Sequence, residues 1–125
     1  MLNSQVDATV AAGFKALGEN RLKEALAFFQ NVVAQAPDRS DILQGLGLTL
    51  KSLGDIEGGI TQLSKAVSRY PHDVAARLNL GSMLLDAGRA AEAISSFEDV
   101  LRRKPGWPIA VRNLGIALLA LGEAT

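Results

Sequence analysis

Two asparagines, Asn79 and Asn113, stand 34 residues apart, each directly before a Leu-Gly pair, Leu80-Gly81 and Leu114-Gly115. A carboxamide donates and accepts hydrogen bonds at once, so it can hold a peptide backbone whatever the peptide's side chains. The other chemistry-bearing residues form no constellation. His72 is the single histidine and follows Pro71, and there is no cysteine, so a metal site lacks the several ligands it needs. His72 reads as a solvated turn residue. Arg102-Arg103-Lys104 fits the end of a helix, where cations complement the dipole, better than a nucleic-acid patch. Gly45-Leu46-Gly47 has neither the third glycine nor the preceding strand of a dinucleotide loop. Glu19, Glu24, Asp38, Asp55 and Glu92 fall in turns and helix starts. No nucleophile and base pair is visible. The expectation is a protein that is not an enzyme and uses neither metal nor cofactor.

The bulk properties agree with a binding role. Apolar residues make up 48% of the 125, and aromatics only 5%. That suits a core of packed helices rich in Leu, Ala, Val and Ile. Lys and Arg total 13 and Asp and Glu total 13, which leaves no general attraction to nucleic acid or an anionic membrane. Without cysteine there is no disulfide and no thiolate nucleophile. Met1 to Asp7 lacks a basic segment followed by an apolar one. The longest apolar run, Ile116 to Leu121, is far too short to span a bilayer. A cytoplasmic location is expected.

The asparagine spacing is one instance of a general register. Pro37, Pro71 and Pro105 recur every 34 residues, as do Gly13, Gly47, Gly81 and Gly115, and Asn20, Gly54, Gly88 and Gly122. Self-similarity at this period means one folding unit stacked repeatedly. Each unit reads as helix, tight turn, helix, proline turn. First helices are predicted at about 5–19, 40–53, 74–87 and 108–121, and second helices at about 22–35, 56–69 and 90–103. The recurring glycine inside each first helix costs roughly 1 kcal/mol against alanine. Close backbone approach of the second helix is expected to offset it, with Ala25, Gly59 and Ala93 as the small facing residues. Asn20, Gly54, Gly88 and Gly122 tolerate the left-handed conformation that stops a helix. Phe29, Leu63 and Phe97 fill the core one turn further on. The prolines prevent the second helices from continuing. Tyr70 and Trp107 flank proline turns and are expected to pack between repeats, Trp107 with a further reading as an interface anchor.

The fragments Ala12-Gly13, Leu46-Gly47, Leu80-Gly81 and Leu114-Gly115, followed by Glu24-Ala25 and Glu92-Ala93, closely resemble the tetratricopeptide repeat family. The resemblance covers about residues 6–125. It implies a single all-α domain over residues 1–125, a right-handed superhelical α-solenoid of antiparallel helix pairs. Repeats fall at about 6–39, 40–73 and 74–107, with a partial fourth at 108–125. First helices would line a concave face and second helices a convex one. Two departures stand out. Thr9 and Ala12 are smaller than usual, so the first helix is expected to pack more loosely. Gly58-Gly59 replaces the usual Glu-Ala and should weaken its helix by about 1–2 kcal/mol, so Gly58→Ala is expected to stabilise the fold.

The resemblance also implies where a ligand would lie: in the concave groove, against Val10 and Phe14, Gln44, Leu48 and Lys51, Asn79, Ser82 and Asp86, and Arg112, Asn113 and Ile116. Apolar and amide groups interleave there, as an extended peptide requires. Repeat arrays attached to O-linked N-acetylglucosamine transferases carry an asparagine ladder in the register of Asn79 and Asn113, although Ala11 and Gly45 hold the other two rungs here. The basic clamp with which some relatives grip a chaperone's terminal carboxylate would need Lys or Arg where Val10 and Ala75 stand, so that function is not expected.

The last helix, Pro108 to Leu121, is apolar nearly all round, whereas a terminal solenoid helix normally has a polar outer face. Three explanations stay open: a module of a longer chain, self-association through Leu118, Leu119 and Leu121 into a homo-oligomer, or a local fold-back. The expected function is a scaffold that binds a peptide or partner protein. The alternatives are a substrate-docking or regulatory module of a larger enzyme, such as a transferase, and a self-assembling structural protein.

Overall fold

A computed structural model describes residues 2–124. Among them are seven α-helices and no strand: α1 (Asn3–Gly18), α2 (Leu22–Gln35), α3 (Ser40–Ser52), α4 (Ile56–Arg69), α5 (Val74–Asp86), α6 (Ala90–Arg103) and α7 (Pro108–Ala124). The fold is all-α and the predicted helices are all present, with ends shifted by about two residues except at the last. The chain divides into two compact units, Met1–Tyr70 and Pro71–Thr125. The division falls at the second proline turn.

The tight turns are copies of one another. Asn20, Gly54 and Gly88 have φ of 61°, 94° and 79°. After each, the next amide reaches back: Arg21 N donates to Ala16 O, Asp55 N to Leu50 O and Arg89 N to Leu84 O, all at 2.8 Å. Those bonds satisfy carbonyls that the helix end would leave unpaired. The expected fourth stop fails. Helix α7 continues past Gly122 to Ala124. Glycine permits the left-handed turn without enforcing it, and here the helical ladder continues instead. At the proline turns, Ala36, Tyr70 and Lys104 take φ of −139°, −127° and −131°, the extended region to which a following proline confines its neighbour.

In the first unit, Val6, Val10 and Ala16 of α1, Ala25, Phe29 and Val32 of α2, and Ile42 and Leu46 of α3 form one buried cluster. Phe14 lies edge-on to Phe29, with centroids 5.1 Å apart and an interplanar angle of 76°, a geometry favoured by the ring quadrupoles. Arg39 ties two copies of one register together, donating from Nη1 to Asp7 at 2.6 Å and from Nη2 to Asp41 at 2.8 Å. Tyr70 donates its hydroxyl to the Asp38 carbonyl, and Arg69 pairs with the Asp38 carboxylate. Both join the turn before α3 to the end of α4.

In the second unit, Phe97 is fully buried between α5 and α6, with Ala93 and Val100. Arg103 and His72 repeat the Arg69–Asp38 arrangement 34 positions on, Nη1 donating to Nδ1 at 2.9 Å. His72 is thus a loop tether, in keeping with its structural reading. Among the described residues, Arg77 carries a buried polar atom that no hydrogen bond satisfies. It donates to Asp99 Oδ2 at 3.0 Å and to Pro71 O at 3.2 Å, while its buried Nε has no partner. Burial, with Arg103 and Arg102 nearby, lowers its pKa from the usual guanidinium value. Lys104 places Nζ 4.8 Å from the Trp107 ring centroid, and Trp107 is half-buried.

The glycine register explains itself at three positions. A Cβ on Gly13 would lie 2.8 Å from the Phe29 ring, and one on Gly81 would lie 2.8 Å from the Phe97 ring. At Gly47 it would meet Gly59 O and Leu63 Cγ, each at 3.1 Å. So the close neighbour is backbone only at Gly47, and an aromatic ring at the other two. At Gly115 nothing lies within 4 Å, and the expected close approach is absent.

Candidate functional site

The first helix of each repeat turns one side to its own second helix and another to solvent. On the solvent side the predicted site residues separate into surface and core. In the first unit Phe14 is exposed on α1, and Gln44, Leu48 and Lys51 are half-buried on α3. Gln44 Nε2 donates to Ser40 Oγ at 3.0 Å. Val10 does not belong to this surface. It is 6% exposed and packs in the first core. Its third-repeat equivalent Leu78 is buried as well, whereas its second-repeat equivalent Gln44 is half-buried. Arg112 shares that register and is exposed on α7.

The second unit brings the amide groups together. Asn79 and Ser82 are half-buried on α5, Asp86 is exposed one turn further, and Ile116 is exposed on α7. Asn113 is 9% exposed, and its Nδ2 donates to Ser82 Oγ at 3.3 Å. That bond joins α7 to α5 and fixes one edge of the carboxamide. A row of Asn79, Ser82 and Asn113 results, bordered by the apolar Ile116 and the acidic Asp86. Such a row offers donors and acceptors beside an apolar contact, the combination that holds an extended peptide.

The missing rung at Gly45 has a physical cause that spacing alone did not reveal. A Cβ there would come 2.4 Å from two atoms of the Phe29 ring. No asparagine fits where α2 presents that ring.

Leu118, Leu119 and Leu121 are all exposed on α7, together with Ile109 and Val111. Leu121 and Ala120 border a cleft of about 340 Å³ whose other walls are Leu85 and the turn from Gly88 to Glu92. Among the described residues there is no cluster of His, Cys, Asp or Glu able to hold a metal, and no helix long and apolar enough to cross a membrane.

The tetratricopeptide repeat family model matches residues 45–108 and 84–125. The chain belongs to the tetratricopeptide repeat family. It is similar to the DnaJ homolog subfamily C member 3 of Rattus norvegicus, 29% identical over 104 residues, which cover 83% of this chain and 21% of that protein. Among solved structures, the Thermobaculum terrenum O-GlcNAc transferase K341M mutant superposes with a TM-score of 0.85 at 26% identity, covering 92% of this chain and 22% of that one. The first tetratricopeptide domain of Spaghetti (RPAP3), solved bound to the HSP90 peptide SRMEEVD, superposes with a TM-score of 0.90 at 16% identity, over 98% and 97% of the two chains. That likeness concerns the fold. The chain spans about a fifth of the curated relative it matches.

Proposed function

We propose that this tetratricopeptide repeat chain is a protein-interaction module that holds an extended peptide segment of a partner on the solvent side of its first helices. The observation that carries this is the amide row Asn79, Ser82 and Asn113 beside Ile116. The surface is preformed, so little ordering cost falls on the protein when the ligand docks. The amide row and Ile116 lie in the second unit; in the first unit, Phe14, Gln44, Leu48 and Lys51 form a candidate surface of their own on α1 and α3. Peptide-bound relatives such as the Spaghetti domain support the reading. Val10 and Ala75 stand where a basic clamp would be needed, so the ligand is not proposed to be gripped by a terminal carboxylate. The test is affinity capture with the intact chain and with the Asn79→Ala/Asn113→Ala variant as baits. A partner retained by the first and lost by the second, with both baits folded by circular dichroism, supports the reading. A partner held equally by both overturns it.

The likeness to an O-GlcNAc transferase favours a second reading, in which the same surface docks substrates for a catalytic region of a larger protein. Immunoblotting the source cells for the native polypeptide tests it. A product no larger than 13.2 kDa removes this reading.

A further inference from the structure

Three arginines of the second unit gather around one carboxylate at the end of α6. Arg77 Nη1 donates to Asp99 Oδ2 at 3.0 Å, and Arg102 donates to Asp99 Oδ1. Arg103 is near as well: burial lowers the Arg77 pKa, and the charges of Arg103 and Arg102 lower it further. The helix dipole accounts for Arg102 and Arg103, which end α6. It does not account for Arg77. That residue closes the first turn of α5, its amide donating to Asp73 O at 3.3 Å, and a cation there opposes the dipole. The Arg77 side chain is only 16% exposed, and its second-repeat equivalent is the buried, apolar Leu43. The repeat therefore packs without a charge at this position.

The 34-residue register shows where a negative charge is lacking. In the second repeat Arg69 pairs with the Asp38 carboxylate. In the third, Arg103 stands in place of Arg69 and His72 in place of Asp38, with Arg103 Nη1 donating to His72 Nδ1 at 2.9 Å. A ring nitrogen that accepts from a guanidinium belongs to a neutral imidazole, so His72 offsets none of the charge. The other carboxylate of this turn, Asp73, caps α5 by accepting from Ala76 N at 3.1 Å. Three guanidiniums thus share the single carboxylate of Asp99, which leaves two positive charges in excess. Arg102 and Arg103 are exposed, and a guanidinium has five N–H donors, more than Asp99 and His72 occupy.

We propose that Arg102 and Arg103, with Arg77 adding its charge, bind a phosphate group where Asp38 answers Arg69 one repeat earlier. A phosphate near neutrality carries up to two negative charges, which matches the excess, whereas one carboxylate supplies half of it. Its oxygens also accept from two guanidinium forks at once. The site shares no residue with the amide row and does not rest on it.

NMR of the backbone amides of the intact chain tests this, with sodium phosphate replacing sodium chloride at constant ionic strength and about pH 7.5, above the second phosphate pKa. The expected result is saturable shifts centred on residues 71–73 and 100–104. Affinity should fall by about tenfold or more in the Arg102→Gln/Arg103→Gln chain. Both arginines are exposed, so that substitution leaves the fold intact. The Lys15→Gln/Lys23→Gln chain removes the same charge from exposed positions of the first unit and should bind like the parent. A parallel titration with O-phosphoserine separates the sources of the group. Tighter binding than inorganic phosphate supports a phosphorylated partner, and the reverse supports a free anion. Shifts that grow without saturating, or equal affinity in the Arg102→Gln/Arg103→Gln chain, overturn the proposal. So does equal weakening in the Lys15→Gln/Lys23→Gln chain, because net charge then holds the ion and the site does not.

Discussion

Alanine at two members of one glycine register should act in opposite directions. Gly81 and Gly115 are both helical and lie 34 residues apart. At Gly81 an added Cβ would stand 2.8 Å from Phe97 Cε1 and 3.1 Å from Cδ1 and Cζ. Phe97 is fully buried, so its ring has no open space to swing into. Overpacking of this kind costs about 1–3 kcal/mol, against a gain of about 1 kcal/mol for replacing a helical glycine. The net effect expected at Gly81 is a loss of up to about 2 kcal/mol. At Gly115 the Cβ meets nothing within 4 Å, so only the gain of about 1 kcal/mol remains. With roughly 4 °C of midpoint shift per kcal/mol for a chain of this size, Gly81→Ala should melt lower by up to about 8 °C. Gly115→Ala should melt higher by about 4 °C. Thermal unfolding followed by circular dichroism at 222 nm reads both. Shifts of the same sign would refute the argument that these glycines exist to admit the second helix.

Other expectations follow from individual contacts. Gly58→Ala, a stabilising change by helix propensity alone, should be neutral or destabilising. Its Cβ would fall 2.3 Å from Asp55 Oδ2, while Asp55 Oδ1 accepts from Gly58 N at 2.9 Å to cap α4. Losing that cap costs about 1 kcal/mol, and a urea midpoint clearly above the parent's would contradict the account. Asp99→Ala should destabilise by about 2 kcal/mol because it leaves the part-buried Arg77 without its carboxylate. Arg77→Met should be close to neutral in the same urea titration, since an apolar replacement removes the charge as well. Hydrogen bonds from Arg39 hold the Asp41 carboxyl below its ordinary pKa. A carboxyl lowered in the folded state adds stability above its unfolded pKa and loses it as pH falls through the lowered folded value. The Arg39–Asp41 pair should therefore contribute below about 1 kcal/mol near neutrality. That contribution should fade below about pH 4, and Asp41→Asn should flatten the decline.

The repeat register made the fold legible. Proline and glycine spacing placed the helices because these residues act on their own backbone, through a fixed φ at proline and a permitted left-handed φ at Asn20, Gly54 and Gly88. Gly122 shows the limit, because the same residue type can remain within a helix. Contacts between residues far apart in sequence were not legible. Nothing in spacing indicates that Phe29 occupies the place of a side chain at Gly45, or that Arg77 meets Asp99. The glycine penalty at position 58 was legible, but the carboxylate beside it was not. Part of the candidate surface could be read as well, since Asn79 is half-buried on α5, but the shared spacing did not show that Asn113 is buried and bonded to Ser82. Val10 was misread because its apolar side chain shares the register of the exposed Arg112, while its own neighbours, Ile42 and Leu46 among them, bury it.

The most direct test of the central claim is the affinity of a captured partner peptide, measured by isothermal titration calorimetry against three forms of the chain. These are the parent, the Asn79→Ala/Asn113→Ala variant, and a control with Glu98→Ala on the exposed side of α6. The account predicts that the double variant loses about tenfold or more and that the control binds like the parent. Equal affinity for the double variant and the parent, with both fully folded, would contradict it.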